Sequence, residues 1–214
     1  MPAEDALQQI ADEVQVCTKC DLHFGARNGV PGSGDPHAEV MLIGEAPSLY
    51  DDRRGYPFSG PSGAFLDELL ALAGLTRARV YLPNVVKHRV PEGRELQPGE
   101  IAACRDYLTR QIAAIDPKVI VTLGRYSLAR FFPTAKISRI HGQAKLQDGR
   151  IVVAMYNPAA ALHKEELRET VVGDFTRALP AALTEARRLA AEGKLGRPGR
   201  APDEGEAPQQ MTLF

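Results

Sequence analysis

Four short apolar runs, separated by segments with helical periodicity, constrain the fold more strongly than any other feature of the chain. The runs are Glu39–Gly44, Arg79–Val86, Lys118–Gly124 and Arg150–Tyr156. Continuous apolar strands of this kind are typical of a parallel sheet that is covered on both faces. The sequence therefore predicts an α/β fold, a three-layer α/β/α sandwich around a central four-stranded parallel sheet.

The segments between these runs fit helices. One apolar stripe is formed by Phe65, Leu66, Leu69, Leu70 and Leu72. A second stripe begins after Pro98 and ends at Ile115, and proline suits the first turn of a helix. A third helix is expected over 167–189, interrupted or kinked at Pro180.

The unusual residues of the chain follow the apolar runs directly. They are the segment Gly44–Pro47, Asn84, Gly124 and the pair Asn157–Pro158. In open parallel sheets, ligands bind beyond the carboxyl ends of the strands. We therefore expect the functional site at that edge of the sheet.

The length of 214 residues suits one domain with a sizeable core. We predict a folded domain over residues 1–192 and a flexible tail over 193–214, where glycine, proline and charged residues leave too little apolar surface to fold. The tail nevertheless ends in an apolar pentapeptide, QMTLF. No second domain is needed.

Charge and hydropathy exclude a membrane span and leave DNA binding open. No run approaches the roughly 18 apolar residues that cross a bilayer, and the acidic start lacks the features of a signal peptide. We expect a cytoplasmic protein, in which cysteines stay reduced. The chain has 26 basic and 27 acidic residues, so its net charge neither favours nor forbids nucleic-acid binding.

The only three cysteines and one histidine form a candidate set of four metal ligands. Cys17 and Cys20 are separated by two residues, and His88 and Cys104 by fifteen. Thiolates select iron–sulfur clusters or zinc, and a C-x-x-C turn can bind one metal centre. Zinc stays open, because spacing alone does not exclude it. A further alternative is that the cysteines are small buried hydrophobic residues.

Several ordered motifs resemble the family 4 uracil-DNA glycosylases, the iron–sulfur branch of that superfamily. The resemblance covers roughly residues 13–185. Its blocks are Cys17–Gly34, Gly44–Gly63 (GEAPSLYDDRRGYPFSGPSG), Asn84–Arg94, Cys104–Leu108, Pro117–Gly124 and Asn157–Leu162. It implies an enzyme that flips uracil out of DNA and hydrolyses its bond to the sugar, leaving an abasic site.

The resemblance implies a uracil pocket with three parts. Phe58 would stack on the base, and Asn84 would donate to O4 and accept from N3–H, a pattern that cytosine reverses. Backbone of Gly44, Glu45 and Ala46 would approach the uracil oxygen. The alternative is that Phe58 belongs to the core and that Asn84 caps a turn.

The same resemblance places two carboxylates, Glu45 and Asp51, nearest the chemistry. Asp51 is expected to orient water or to stabilise the cationic sugar. The alternative is that Asp51 and Asp52 are solvated loop charges. Leu162 matches a residue that wedges into the duplex, while His163 replaces an arginine that would contact phosphate.

Two residues depart from the family pattern. His88 replaces a cysteine, so a [4Fe–4S] cluster here would have three thiolate ligands and one imidazole, as some clusters do. Asn157 replaces the histidine that would hydrogen-bond the departing uracil oxygen. Asparagine donates through its amide but carries no charge.

The tail resembles the bacterial sliding-clamp-binding motif. Gln210 would reach a polar rim, and Leu213 and Phe214 would fill an apolar pocket. An accident of composition is the alternative.

Two functions follow from these observations. The first is a uracil-DNA glycosylase, acting as a nucleoid-associated monomer. The second, favoured by Asn157, is a catalytically weak or altered-specificity member that binds deaminated bases such as hypoxanthine or xanthine. A redox or zinc module without base chemistry leaves Phe58 and Asn84 unexplained.

Overall fold

One mixed sheet forms the centre of the molecule. The computed structural model describes residues 1–195 and the backbone of Gln210 and Met211. Within these residues the strands are β1 (Ser33–Gly34), β2 (Val40–Ile43), β3 (Val80–Leu82), β4 (Val119–Leu123), β5 (Ala144–Gln147), β6 (Arg150–Met155) and β7 (Gln210–Met211). They are ordered β1-β3-β2-β4-β6-β5-β7.

The four predicted apolar runs are the four central strands. β3, β2, β4 and β6 lie side by side and are parallel, with Val40 opposite Val119 and Val119 opposite Ile151. The predicted α/β class is therefore confirmed. The prediction of a four-stranded sheet was wrong in its strand count, because antiparallel strands β1, β5 and β7 extend both edges.

The missed strands are short or incompletely buried, so they lack the apolar signal of the central strands. β5 joins β6 through Asp148 and Gly149, whose φ angles are 49° and 69°. Two consecutive residues with positive φ make a tight turn that matches the twist of a hairpin. The Asp-Gly pair is the sequence signal for this turn.

Eight α-helices cover the sheet within residues 1–195. They are α1 (Ala3–Gln15), α2 (Leu49–Arg54), α3 (Pro61–Leu72), α4 (Pro98–Ile115), α5 (Arg125–Phe131), α6 (Ile137–Ile140), α7 (Pro158–His163) and α8 (Arg168–Ala191). Short 3₁₀ turns cover Asp21–Gly25, Arg77–Arg79 and Glu165–Leu167. The three predicted helices correspond to α3, α4 and α8, and α8 continues through Pro180.

Alternate side chains of β2 point to the two outer layers. Leu42 packs in a core with Leu66 of α3 and Phe175 of α8. Met41 belongs to a second core on the opposite face, together with Leu108 of α4. This is the predicted three-layer arrangement. α1 adds a small cluster outside α4, where Ile10 and Val14 meet Tyr107 and Cys17.

The tail lies largely outside the described residues. Residues 196–209 and 212–214 are not described, and they include Leu213 and Phe214 of the predicted clamp motif. Gln210 belongs to β7, which pairs with β5. No helix in residues 1–195 is long and apolar enough to cross a bilayer.

Candidate active site

The carboxyl ends of β2 and β3 bring three predicted pocket residues together. Gly44 and Asn84 form a parallel bridge just beyond these strands. A Cβ atom at Gly44 would collide with Asn84 Oδ1 and stand 2.9 Å from Phe58 Cζ. Gly44 is therefore required for a close approach, and Phe58 and Asn84 form the walls beside it.

Asn84 carries an amide donor with no partner. The residue is 2% exposed, and its Nδ2 atom makes no hydrogen bond. A buried donor left unpaired costs about 1–3 kcal/mol, and such atoms mark sites where a ligand completes the bonding. Lys87 Nζ donates to the Asn84 carbonyl at 2.8 Å and to Gln111 Oε1 at 2.7 Å. Lys87 thus holds the backbone of the pocket residue.

Phe58 has an unusual backbone conformation. Its φ angle is 51°, which is uncommon and strained for a bulky residue. Arg77 stabilises this turn, because its Nη2 donates to the carbonyls of Phe58 at 3.0 Å and Gly63 at 3.2 Å. The ring is 7% exposed and packs against the core while bordering Gly44. The ring therefore belongs to the core, as the alternative interpretation held, and its stacking on a base stays a prediction.

Glu45 is a partly buried carboxylate at the same edge. Its Oε1 accepts a hydrogen bond from Tyr126 N, in the first turn of α5, at 3.0 Å. A Cβ atom at Gly124, where φ is 99°, would lie 2.6 Å from Glu45 Cδ. Burial raises the pKa of Glu45, while the Tyr126 amide, Arg125 and Asn157 oppose that rise. Ala46 beside it is partly buried against the α4 core.

Asn157 caps α7 and lies near Glu45. Its Oδ1 accepts from Ala159 N at 3.0 Å, and its side chain helps to lower the pKa of Glu45. With Oδ1 committed to the cap, Nδ2 is the atom of this amide that is left to donate. Leu162, on the same helix, is 43% exposed, and its role as a wedge stays a prediction.

Asp51 ties two parts of the active-site loop together. Its Oδ1 accepts from Ser59 N at 2.7 Å and Ser59 Oγ at 2.8 Å, and its Oδ2 accepts from Ser48 N at 2.9 Å. Ser48 Oγ in turn accepts from Asp51 N, and the two residues form a capping box for α2. The role of Asp51 in orienting water stays a prediction, since these hydrogen bonds use both carboxylate oxygens.

The interpretation of Asp51 and Asp52 as solvated charges was wrong. Both residues are 4% exposed. Asp52 Oδ1 accepts from Arg27 N at 2.8 Å and Asn28 N at 3.3 Å. Backbone amides therefore replace water around the Asp52 carboxylate, and this contact fastens the 27–28 segment to α2.

The three cysteines lie close enough to influence one another electrostatically. Cys17 and Cys104 are buried and Cys20 is partly buried. Burial is the main cause that raises the pKa of Cys20 and of Cys104, and their neighbouring cysteines act in the same direction. Across the described part of the chain, no three histidine, cysteine, aspartate or glutamate side chains are assembled as a metal site.

His88 has a buried ring nitrogen without a partner. The residue is 4% exposed, and its buried Nδ1 makes no hydrogen bond. Burial lowers the pKa of His88, and His23 adds to that effect. A neutral imidazole with an unpaired nitrogen and three thiols have the donor chemistry that an iron–sulfur cluster or zinc requires. The buried-hydrophobe alternative also remains, since Cys17 packs against Ile10 and Val14.

Sequence patterns did not reveal Arg77 and Lys87 as supports of the pocket. Arg77 reaches the Phe58 carbonyl from nineteen residues away and Lys87 the Asn84 carbonyl from three, and no sequence pattern signals either contact. The capping role of Asn157 did have a signal, because asparagine followed by proline is typical of a helix start.

A three-layer fold with polar residues gathered beyond the carboxyl ends of its parallel strands defines the class of α/β proteins that bind ligands at this edge. Residues 31–179 match the family model for the uracil DNA glycosylase superfamily, and the chain belongs to this superfamily. It is 42% identical over 180 residues to the Type-4 uracil-DNA glycosylase of Archaeoglobus fulgidus, covering 80% of this chain and 90% of the relative. The Type-4 uracil-DNA glycosylase of Sulfurisphaera tokodaii is 40% identical over 193 residues, covering 86% of this chain and 88% of the relative.

Proposed function

We propose that this protein is a uracil-DNA glycosylase that hydrolyses the N-glycosidic bond of uracil in DNA and leaves an abasic site. The names of its Type-4 relatives support this function. The observation that carries it is the unpaired, buried Asn84 Nδ2 beside Gly44 and Phe58. A flipped base with an acceptor at its edge would satisfy that donor.

Asn84 would provide base specificity. Its Nδ2 donates to uracil O4, and its Oδ1 accepts from N3–H, whereas cytosine presents a donor and an acceptor in the reverse order. Phe58 would stack on the base face. The strained turn held by Arg77 fixes the ring before DNA arrives, so little ordering cost remains at binding.

The reaction adds water to the sugar. The water oxygen bonds to C1′, the C1′–N1 bond breaks, and uracil leaves with its electron pair. Ionised Glu45 would orient the water, stabilise the cationic sugar and take up the released proton. Asn157 Nδ2 would donate to uracil O2 as charge develops there. Asp51 would hold the loop and, if one of its bonds opens, share the water with Glu45.

Leu162 would fill the space that the flipped nucleotide leaves in the duplex. Its exposure and its place on the helix capped by Asn157 support this role. Apolar wedges of this kind offset part of the unstacking cost. An enzyme acting on chromosomal DNA would work in the cytoplasm at the nucleoid, and nothing in this site requires a second copy of the chain.

An assay of abasic-site formation tests the function. The wild-type protein should excise uracil from a uracil-containing oligonucleotide under single-turnover conditions and leave the cytosine control unchanged. Asn84→Ala should lower excision by about one to two powers of ten, since a lost buried hydrogen bond costs about 1–3 kcal/mol. Gln8→Ala, on the exposed face of α1, is the matched control. Full activity of Asn84→Ala and of Asn84→Asp would show that Asn84 does not bind the base.

The second candidate function is a weak or altered-specificity member that binds hypoxanthine or xanthine in DNA. Asn157 favours it, because an amide assists the leaving group less than a charged imidazole does. Single-turnover assays with each base separate the two functions. Excision of hypoxanthine at a rate above that of uracil would favour the second.

Asn157 variants separate its capping role from its donor role. Serine is a good N-cap without an amide, so Asn157→Ser should keep thermal stability while lowering excision about tenfold or more. Asn157→His should raise excision while losing the cap, which costs about 1 kcal/mol. Unfolding midpoints and single-turnover rates check both results. A loss of activity in Asn157→His would mean that the pocket is built around the amide.

We also propose that Cys17, Cys20, His88 and Cys104 hold a [4Fe–4S] cluster. The electrostatic influence of the three thiols on one another and the unpaired His88 Nδ1 support this set. Such a cluster would link the segment after α1, the loop after β3 and α4. When bound, it would supply one-electron redox chemistry or serve only as a structural link. His23 is a competing donor, because it influences the pKa of His88 and its Nδ1 lies 2.8 Å from Cys20 O.

We further propose that residues 193–214 tether a clamp ligand to a folded domain over 1–192. Deleting Gln210–Phe214, or changing Leu213 and Phe214 to alanine, should abolish clamp binding, because two apolar anchors carry most of such an affinity. The intact tail should bind with a Kd in the micromolar range, about −8 kcal/mol. Surface plasmon resonance on a bacterial clamp measures this, with Gln209→Ala as control. Equal binding by the truncated protein would contradict the proposal, and excision from short oligonucleotides should not change.

A further inference from the structure

A cavity lies on the α4 and α5 face of the sheet. Its volume is about 490 Å³, within the range of small-molecule sites. The β5–β6 hairpin contributes Gln147, Asp148 and Arg150 to its wall. These residues lie at the opposite end of β6 from Asn157. Tyr126, whose backbone amide contacts Glu45, also lines the cavity, so the hairpin end is the part that lies away from the groups assigned to base excision.

Three arginines and one carboxylate give this cavity a positive charge. Arg105, Arg130 and Arg150 line it together with Asp148. Arg150 pairs with Asp116 at 2.7 Å, outside the cavity wall. Within residues 1–195, neither Arg105 nor Arg130 forms a salt bridge. Burial lowers the pKa of Arg130, and the charge of Arg105 adds to that effect. Two unneutralised guanidinium groups thus face the same space.

Two buried polar atoms of the wall have no partner. They are Arg150 Nε, on a side chain that is 5% exposed, and Gln147 Oε1. An unpaired donor and an unpaired acceptor each cost free energy in a folded protein. Their presence in one cavity indicates a ligand that both accepts and donates hydrogen bonds.

The rest of the wall is apolar and aromatic. Leu108, Ile112 and Val152 line the interior, and Tyr126 and Phe131 add two aromatic rings. This surface suits a flat, weakly polar group. Guanidinium groups suit phosphate, and Gln147 Oε1 suits a hydroxyl or amino donor.

We propose that this cavity binds a nucleoside monophosphate, with the phosphate on the arginines, the ring system against the apolar wall and a hydroxyl or amino group on Gln147. Inorganic phosphate satisfies the arginines alone. An unphosphorylated nucleoside satisfies only the remaining wall.

Calorimetric titration of the full-length protein with dAMP tests this proposal. A purine presents the wrong edge to Asn84, so dAMP avoids the uracil pocket. Binding should weaken about tenfold or more in Arg105→Ala and in Arg130→Ala, because each removes a charge-assisted contact. Arg105 is exposed, so its removal leaves the fold intact, which thermal unfolding verifies. Arg79→Ala, an exposed arginine elsewhere, is the matched control and should bind as the wild type does.

Three results would overturn the proposal. They are a wild-type Kd for dAMP above about 1 mM, unchanged dAMP binding in both arginine variants, and inorganic phosphate or deoxyadenosine binding as tightly as dAMP. Uracil excision is measured in parallel, and the Arg105→Ala rate should equal that of the wild type.

Discussion

Replacing Glu45 with glutamine is expected to lower single-turnover uracil excision by about 10²–10⁴-fold, the range typical of a lost general base. Glutamine keeps the size of the side chain, and its carbonyl still accepts from Tyr126 N. It cannot take up a proton or carry the negative charge that stabilises the sugar. Glu68→Gln, an exposed change on α3, is the matched control.

The pH dependence gives Glu45 a signature of its own. A base acts when deprotonated, and burial raises the pKa of this carboxyl above the ordinary value of 4.5. Excision should therefore fall as the pH drops through this raised pKa, at a higher pH than an ordinary carboxyl would give. The excision rate of Glu45→Gln should not show this decrease at low pH. A wild-type rate and pH profile in Glu45→Gln would assign the reaction to another carboxylate, with Asp51 the next to test.

Stability should change in the opposite direction to activity. The folded state binds a proton at Glu45 more tightly than the unfolded chain does, so the free energy of unfolding falls as pH rises through the raised pKa. Glu45→Gln removes this cost, and at neutral pH the variant should unfold at the same temperature as the wild type or higher. A loss of activity with retained stability then reports on chemistry.

Replacing Cys104 with alanine is expected to remove the metal centre and to destabilise the fold by several kcal/mol. Structural metal sites contribute about 10–16 kcal/mol of apparent binding free energy, and much of it is folding free energy. If Cys104 were only a small buried hydrophobe, the same change would cost roughly 1 kcal/mol. The size of the effect therefore separates the two interpretations. Thermal unfolding and iron content of anaerobically purified protein measure it.

The wild-type protein should be brown and hold about four irons per chain. His88→Cys should retain the iron, and His88→Ala should lose it, while His23→Ala serves as the control for the competing imidazole. Iron loss in His23→Ala but not in His88→Ala would mean that His23, and not His88, is the fourth ligand of the cluster. Stoichiometric zinc without iron in the wild type would contradict the cluster.

The sequence predicted the parts of the fold that depend on periodicity. The central strands have continuous apolar runs, and their carboxyl ends carry Gly44 and Asn84, which meet as expected. The β5–β6 hairpin was not predicted, although the Asp148–Gly149 pair is a sequence signal for its turn. The capping box of Ser48 and Asp51 also has a sequence signal that was not used, since serine followed three residues later by an acidic residue is a helix-start signature.

Other features depend on contacts that no local pattern contains. Arg77 supports the Phe58 turn from a different part of the chain, and Lys87 reaches Gln111 on α4. The partners of such long side chains are determined only when the layers pack together. The spacing of the cysteines indicated a shared site, but the distances among them follow from how α1 and α4 pack together.

The left-handed backbone of Phe58 has a consequence for attempts to make this protein more heat-resistant. A bulky residue in that conformation costs on the order of 1–3 kcal/mol, and glycine would relieve it. The same glycine would remove a buried ring from the core, and the loss of a buried phenylalanine side chain costs about 3–5 kcal/mol, so the net change is a loss of stability. Directed evolution for heat resistance should therefore retain Phe58, because the ring that is proposed to contact the substrate also stabilises the fold.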